Sequence, residues 1–497
     1  MKYFENSFMK NFLERYPLFL VLLPAFVVIH LEKELRGVIN YRLVTDKIII
    51  FFMVPMVVYG VFFLIFRSLK KSALMSFAFL VFFYFTGDLK NWLNQKFPGS
   101  IWQSYSFLIT VLLVILLLIF IMLRKMSYKI SKAFLIINAA LLLFIIADVT
   151  QMLLADQKGK FKIVTEPGNK YPTCDTCTKP DIYYIVFDAY SSSQLLQNLY
   201  GYSNLHVVNE LKDKNFIIIP NSRSNYNYTA FSVGSTLSMN YIEKVDTINR
   251  TLDRTYLQAL KLVYNNRLVP FLRDNGYKVF NHSLFNIKSF PTTLKDFDPW
   301  GIRETFDQYN LLFKITQDIG HMFPGRLKEI LVKNPYYVNS PENRNRLDST
   351  VYHNLLQSIN LKTNEPKFIY AHFLNPHPPF FYDSLGKILT PDAYGKEGYI
   401  HQVATVNRII EKLTDSILNN AQRPLVIILQ ADHGYSYIPA PKKPEMFSNL
   451  NAIYFSNKDY KQFHDSVTNV NTFRIILNTF FNTRYELLPD KFYYLRH

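Results

Sequence analysis

"VIILQADHGYSYIP", residues 426–439, runs an apolar, β-branched stretch into an abrupt polar exit at Asp432-His433-Gly434. A short run without polar alternation suits a strand buried on both faces, as in a parallel sheet. The same pattern recurs on either side of it. "IYYIVF" (Ile182–Phe187) ends at Asp188, "KFIYAHF" (Lys367–Phe373) ends in "NPHPPF" with His377, and a strand at Tyr277–Asn281 ends at His282. "FIII" (Phe216–Ile219) and "AIYF" (Ala452–Phe455) read as further strands. Helical patterns lie between them, one starting near Thr229, one over Val403–Asn419 and one around Val470–Phe481. Strands alternating with helices predict an α/β domain with a mainly parallel sheet. In such sheets functional groups gather beyond the carboxyl ends of the strands.

Upstream the chain changes character. Residues 1–154 carry five apolar runs, Tyr16–Leu31, Lys47–Phe66, Ser72–Asp88, Tyr105–Leu123 and Ala133–Leu154. A helix needs roughly 20 apolar residues to cross the hydrocarbon core. The last four runs meet that length; the first is short and contains Pro17 and Pro24. Five such runs in succession exceed what the core of a soluble protein holds, and no small-residue cleavage site marks a signal peptide. The reading is a helical transmembrane domain of about five spans at 1–154, a polar linker at 155–180 and a catalytic domain at 181–497. With the N-terminus inside, ten Lys and Arg flank the inner ends of the spans and six flank the outer ends. The excess of positive charge belongs on the cytoplasmic side. An odd number of spans then places the catalytic domain outside the cytoplasm, which predicts a multi-pass protein of the cell (inner) membrane.

The formal charge is +17 over 497 residues. Through Leu154 there are 16 basic and 7 acidic residues, so the remainder is only mildly basic. That suits an anionic membrane surface or anionic substrates. No basic stripe with interleaved aromatics indicates nucleic acid. The two cysteines, Cys174 and Cys177, have no further ligands nearby for a zinc site, and an outside location permits a local disulfide.

An acid or histidine at four strand exits is a pattern, although each alone has a bland explanation. An exit Asp often caps a turn, and a buried histidine is often merely hydrogen-bonded. Taken jointly, Asp188, Asp432 and His433 offer two hard carboxylates and one imidazole, a metal-ligand set. Thr229 sits where a loop rich in Asn and Tyr enters a small-residue helix, in "SNYNYTAFSVGSTLSMNYI". Thr is a common N-cap. It is also a nucleophile placed where the helix dipole and free N–H groups favour anionic charge. A divalent metal on its hydroxyl would stabilise the alkoxide.

Asp188 after its strand, Thr229 opening its helix, "HFLNPHPPF" and "LQADHG" occur in that order. This ordered set resembles the sulfatase-like branch of the alkaline phosphatase superfamily. With its membrane anchor the chain is similar to lipoteichoic acid synthases and lipid A phosphoethanolamine transferases. The resemblance runs from Pro180 to Phe481, since "VNTFRIILNTFF" is similar to the terminal helix of membrane-bound members. It implies an alkaline-phosphatase-like domain in which Asp188, Thr229, Asp432 and His433 bind metal and Thr229 is the nucleophile. His377 would hold the transferred group or assist the leaving group, and His282 would line the substrate pocket. Asp188 stands where the transferases usually have Glu. The Trp and Arg that follow the pocket histidine in lipoteichoic acid synthases do not follow His282.

Neither cysteine lies near Thr229, and "TAFSV" lacks the Pro-Arg context that formylglycine formation needs, which disfavours sulfate esters. His372 and His401 are present, but no Asp-x-x-x-His pattern accompanies them, so one metal ion is expected. Three oxygen ligands and one nitrogen suit Mn²⁺ or Zn²⁺, with Mg²⁺ less suited. The expected reaction is transfer of a phospholipid head group, phosphoethanolamine- or phosphoglycerol-like, through a covalent Thr229 intermediate. Its partners would be a membrane phospholipid as donor and an envelope glycan or lipid as acceptor. A phosphodiesterase or sulfuric ester hydrolase, and a non-catalytic scaffold with this fold, are the alternatives. Transport by the spans has little support, because His30 and Asp148, near span ends, are among the few ionisable groups in them.

Overall fold

The computed structural model describes residues 2–126, 130–155, 176–242, 252–307, 310–319, 324–325, 336–389, 395–435 and 443–495. Most of the expected linker, and Cys174, lie outside the described residues. Six helices come first: α1 (Lys2–Arg15), α2 (Phe19–Leu35), α3 (Tyr41–Phe66), α4 (Leu69–Lys96), α5 (Tyr105–Lys125) and α6 (Ile130–Ala155). Then follow β1 (Asp181–Phe187), α7 (Ser193–Tyr200), α8 (Leu205–Asp213), β2 (Ile217–Ile218), α9 (Thr229–Ser238), α10 (Leu252–Tyr264), α11 (Leu268–Asp274) and β3 (Lys278–His282). The chain continues through α12 (Ile302–Asp307), α13 (Leu311–Ile319), α14 (Pro341–Asn360) and β4 (Lys367–Phe373). It closes with α15 (Lys396–Asn419), β5 (Leu425–Gln430), β6 (Asn451–Phe455) and α16 (Asn469–Phe481).

These elements form two compact units, residues 1–159 with 300–337, and residues 160–299 with 338–497. Among the described residues of the first unit, four helices, α3 to α6, are long and apolar enough to cross a membrane. A fifth span results if Met9–Arg15 and Phe19–Leu35, bent by 97° at their break, count as one. That break falls at Pro17, in the run the sequence marks as short. Asp148 of α6 is buried, and its carboxylate pairs with His30 Nδ1 at 2.8 Å and Lys33 Nζ at 2.5 Å. A charge in an apolar helix persists only with such partners.

The first unit also takes in 300–337, a stretch the sequence reading left inside the catalytic domain. Its reason for packing there is chemical. The Phe306 ring stacks on Phe51 of α3 at 5.5 Å, Asp307 pairs with Lys47, and the Arg303 guanidinium forks onto the Asp46 carboxylate. Tyr105 of α5 donates its hydroxyl to the Lys314 carbonyl at 2.8 Å.

The second unit is a six-stranded mixed sheet, mostly parallel, in the order β2-β6-β5-β1-β4-β3. The β1–β4, β1–β5 and β3–β4 pairings are parallel; β5–β6 and β2–β6 are antiparallel. Every residue of β1, β4 and β5 is buried, as their unbroken apolar runs require. Register then decides which side chains meet. Val186 is opposite His372 on one side and Gln430 on the other. Side chains alternate between faces with period two, so His372 shares one face with Asp188 and Asp432, two residues beyond Val186 and Gln430.

Candidate active site

The carboxyl ends of β1 and β5, the penultimate residue of β4 and the first turn of α9 converge on one buried cluster. Asp188, Thr229, His372, Asp432 and His433 are all nearly inaccessible. Asp432 Oδ1 is fixed by two backbone donors, Ala189 N at 3.1 Å and its neighbour His433 N at 2.9 Å. Ala189 reaches this position in the left-handed region, φ 61°. The turn after His433 needs glycine for a steric reason, since a Cβ on Gly434 would lie 2.6 Å from the Ser448 carbonyl and 2.8 Å from that of Glu445. Two buried amides, Asn449 and Asn469, both donate to the Ala431 carbonyl and hold the turn from behind.

Thr229 is presented by a helix made of small residues. A Cβ on Gly234 would sit 3.4 Å from Leu262, so α10 lies close against α9. Ser232 donates its hydroxyl to the Asp432 carbonyl, tying α9 to the exit of β5. Thr229 Oγ1 lies 3.3 Å from His433 Nε2 and 3.5 Å from Asp188 Oδ2.

His433 Nδ1 is 2.8 Å from the Gly434 carbonyl, which can only accept. Nδ1 therefore carries the proton, and Nε2 faces Asp188 Oδ1 and Asp432 Oδ2 at 3.5 Å each. Asp188 Oδ1, Asp432 Oδ2 and His372 Nε2 are buried with no hydrogen-bond partner among the described residues. Buried orphans of this kind cost free energy unless something satisfies them. A divalent ion fits. Asp188, His372 and Asp432 each offer a ligand atom within 4.8 Å of one another. Ligands held at about 2.0–2.2 Å around a tetrahedral ion stand roughly 3.3–3.6 Å apart, close to the separations above and too long for good hydrogen bonds.

The electrostatics agree. Burial, then the Asp432 charge, raise the Asp188 carboxyl well above its ordinary range. Burial would also raise Asp432, but His433 and His372 outweigh it and hold Asp432 low. Burial opposes charge on His433, yet Asp432 and Asp188 raise it overall. Two carboxylates in one dry site need a cation between them.

His372 is the residue that sequence reasoning set aside. Its ring is wholly buried, with Nδ1 at 3.1 Å from the Tyr370 hydroxyl and Nε2 at 3.8 Å from Asp188 Oδ2. Burial pushes it down to about 4, so the ring is neutral and able to ligate. Its one signal was an imidazole inside an otherwise apolar strand. His401 lies elsewhere, at 3.9 Å from Glu397.

His377 sits over the cluster with its ring 6.2 Å from that of His433. Its Nδ1 lies 2.6 Å from the Pro378 carbonyl, so the proton is on Nδ1 and Nε2 carries the lone pair. Burial, then Arg344 and His433, push its pKa down to about 3. The loop that bears it is braced by two buried charges on α14, which the sequence did not reveal. Arg344 donates to the carbonyls of Leu374 and His377, and Asp348 accepts from Leu374 N at 2.8 Å and Asn375 N at 3.0 Å. His282 is occupied differently. Its Nδ1 meets Thr293 Oγ1 at 3.0 Å and its Nε2 meets Ser358 Oγ at 2.7 Å, so both ring nitrogens are engaged by residues outside the cluster.

Residues 180–476 match the sulfatase family. No curated protein matches the chain by sequence. Among solved structures, it is similar to the integral membrane lipooligosaccharide phosphoethanolamine transferase A of Neisseria meningitidis, at 13% identity and TM-score 0.37, covering 92% of this chain and 95% of that one. It is similar also to the C-terminal periplasmic domain of a Campylobacter jejuni phosphoethanolamine transferase, at 12% identity and TM-score 0.36, covering 62% and 91%. A third likeness is to the phosphonate monoester hydrolase of Agrobacterium radiobacter, at 11% identity and TM-score 0.38, covering 61% and 73%. The family match spans more than half of the chain and takes in every residue of the buried cluster: this chain belongs to the sulfatase family.

Proposed function

We propose that this protein is a membrane-anchored, metal-dependent phosphotransferase that moves a phospholipid head group through a covalent intermediate on Thr229. The observation that carries this reading is the place of Thr229 Oγ1. It stands at a helix N-terminus, 3.3 Å from His433 Nε2 and 3.5 Å from Asp188 Oδ2, beside carboxylate oxygens that have no hydrogen-bond partner among the described residues. A hydroxyl there is a nucleophile, and no cysteine lies near enough to become formylglycine, so phosphate esters are favoured over sulfate esters.

Asp188, Thr229, Asp432 and His433 would hold one divalent ion, with His372 beside them. Zn²⁺ or Mn²⁺ suits the mixed O and N donors. Such an ion supplies charge stabilisation for the phosphoryl oxygens and lowers the pKa of the threonine hydroxyl. In the first half-reaction Thr229 Oγ1 bonds to phosphorus, its proton passes to Asp188 Oδ2, and the ester bond to diacylglycerol breaks. The departing oxygen takes a proton from solvent. In the second half-reaction an acceptor hydroxyl bonds to phosphorus as the Thr229 Oγ1–P bond breaks; its proton passes through His377 Nε2 to solvent, replacing the one diacylglycerol took, and Thr229 recovers its own from Asp188. His377 Nε2 carries the lone pair that step needs, and with its pKa held down to about 3 the ring relays the proton rather than keeping it. The free N–H groups at the start of α9 favour the anionic phosphoryl group throughout.

Membrane-length helices suit a lipid donor, and with the bent α1–α2 pair counted as a fifth span the flanking charges agree with a second unit outside the cytoplasm. Cys177 is disulfide-bonded, as an oxidising compartment allows. The test uses the full chain in vesicles of phosphatidylethanolamine or phosphatidylglycerol carrying a fluorescent acyl chain. Release of fluorescent diacylglycerol, and a mass adduct on the Thr229 peptide whose size identifies the head group, are expected. Release that persists in Thr229→Ala would sink the covalent mechanism.

A further inference from the structure

Thr229 opens α9 without a side-chain cap. Tyr228 occupies the N-cap position in an extended conformation, φ −134° and ψ 136°. The position of the hydroxyl therefore depends on what holds residues 225–228. Much of that hold comes from residues 488–495, which form no helix of their own. Tyr493 N donates to the Asn225 carbonyl at 2.8 Å, and Asn225 Nδ2 donates to the Lys491 carbonyl at 2.8 Å. Asn227 grips one residue twice. Its Oδ1 accepts from Leu495 N at 2.9 Å and its Nδ2 donates to the Leu495 carbonyl at 3.1 Å. The Tyr226 ring stacks on Tyr493, centroids 5.6 Å apart and 19° from parallel.

Asn225, Tyr226 and Asn227 are buried. Burying amides to hold an irregular segment costs desolvation that an apolar contact would avoid. What a two-pronged amide adds is register, because only one alignment of the segments satisfies both prongs. The same tail is anchored at its near end, where Arg474 of α16 donates to the carbonyls of Met239, just past α9, and Glu486 at 2.7 Å each.

We infer that residues 488–495 form a strap that sets the position of Thr229 Oγ1 over the cluster, with Asn227 as the positioning residue. This rests on Thr229 being the nucleophile. The strap works through the backbone of 225–228 and touches no substrate. A displacement of about 1 Å at a reacting atom costs roughly a hundredfold in rate.

The test measures single-turnover release of p-nitrophenolate from bis(p-nitrophenyl) phosphate by the full chain in detergent micelles loaded with Zn²⁺, with bound metal measured on the same samples. Asn227→Ala is expected to slow release about tenfold to a hundredfold while keeping its zinc. Leu495→Pro, which removes the N–H that donates to Asn227 Oδ1, should slow release by no more than Asn227→Ala does. The double variant should be no slower than Asn227→Ala alone, since that variant already breaks both bonds between the two residues. An unchanged rate in Asn227→Ala overturns the strap, as do losses that multiply in the double variant or that track loss of zinc. Full release by Thr229→Ala would overturn the nucleophile itself, an outcome that no Asn227 result can imitate.

Discussion

Asp188 carries a conflict that a single substitution can expose. Burial and Asp432 both work against its charge, and its Oδ1 has no hydrogen-bond partner among the described residues. In the absence of metal that carboxylate is a liability, and Asp188→Asn, of equal size, removes it. The expected outcome is a crossing. In chelator, Asp188→Asn should be more stable than the wild type by about 1–3 kcal/mol, the range for a buried polar group left without a partner. With Zn²⁺ the order should reverse, because the variant loses a ligand. Calorimetry in the two buffers checks both arms, and a variant less stable in both would contradict the placement of metal between the carboxylates. At this scale Asp188, Thr229, Asp432 and His433 were readable as candidates because they stand where an apolar run stops or a helix starts. His372 was not, since one imidazole within "KFIYAHF" looks like any satisfied core residue until strand register turns it onto the face of Asp188 and Asp432. Arg344 and Asp348 were hidden for the opposite reason. They belong to a polar helix whose charges read as solvated, yet both are buried against the His377 loop.

Elements transmit these constraints, and α14 shows it twice. Through Arg344 and Asp348 it makes four backbone contacts to the loop after β4. Arg344→Gln should lower kcat at least tenfold, by the general cost of misplacing a reacting group, with bound metal retained; steady-state kinetics beside metal analysis reads the split. Further along α14, Ser358 receives His282 from the end of β3. Burial lowers His282 to about 4, from an ordinary value near 6.5. The sign follows from proton counts. Between pH 6.5 and 4 the unfolded chain binds a proton that the folded chain refuses, so stability present above 6.5 is lost as pH falls, by about 3 kcal/mol at the limit. His282→Asn should be less stable at pH 7 and should lose less on acidification, as paired thermal melts at pH 7 and pH 5 would show. Acid loss unchanged in the variant would place the sensitivity elsewhere. The turn after β5 gives a third case: Gly434→Ala pushes a methyl against two carbonyls and should cost about 1–3 kcal/mol together with metal affinity. Strand positions were legible because β1, β4 and β5 are buried on both faces. The start of α15 was not, since its first turns, "KEGYIHQ" before Val403, carry too few apolar residues to show helical spacing.

For the whole molecule, hydropathy alone separates an apolar N-terminal part from a mixed α/β part. It gives no sign that 300–337 leaves the second unit, joins the first and returns. "GIRETFDQYNLLFKITQDIG" has the composition of ordinary soluble helices, and the sequence reading kept it within the domain at 181–497. Two ion pairs hold this excursion to α3, and magnitudes decide between them. The Asp46 carboxylate, which Arg303 grips, is half exposed. Exposed pairs contribute about 0–1 kcal/mol even when well aligned. Asp307 is buried, and burial raises its carboxyl despite Lys47 beside it. Removing one partner of a buried pair costs about 3–5 kcal/mol, because the other charge is left without compensation. Lys47 keeps some access to water, which puts the expected loss for Asp307→Ala near 3 kcal/mol and that for Asp46→Ala below 1 kcal/mol. When opening and closing are fast, proteolysis tracks the population of the opened segment. Limited digestion in detergent should therefore cut within 300–337 about a hundredfold faster in Asp307→Ala and less than tenfold faster in Asp46→Ala, with cleavage sites read by mass spectrometry. Equal rates in the two variants would mean that the Phe306–Phe51 stack, rather than charge, holds the excursion to the helices.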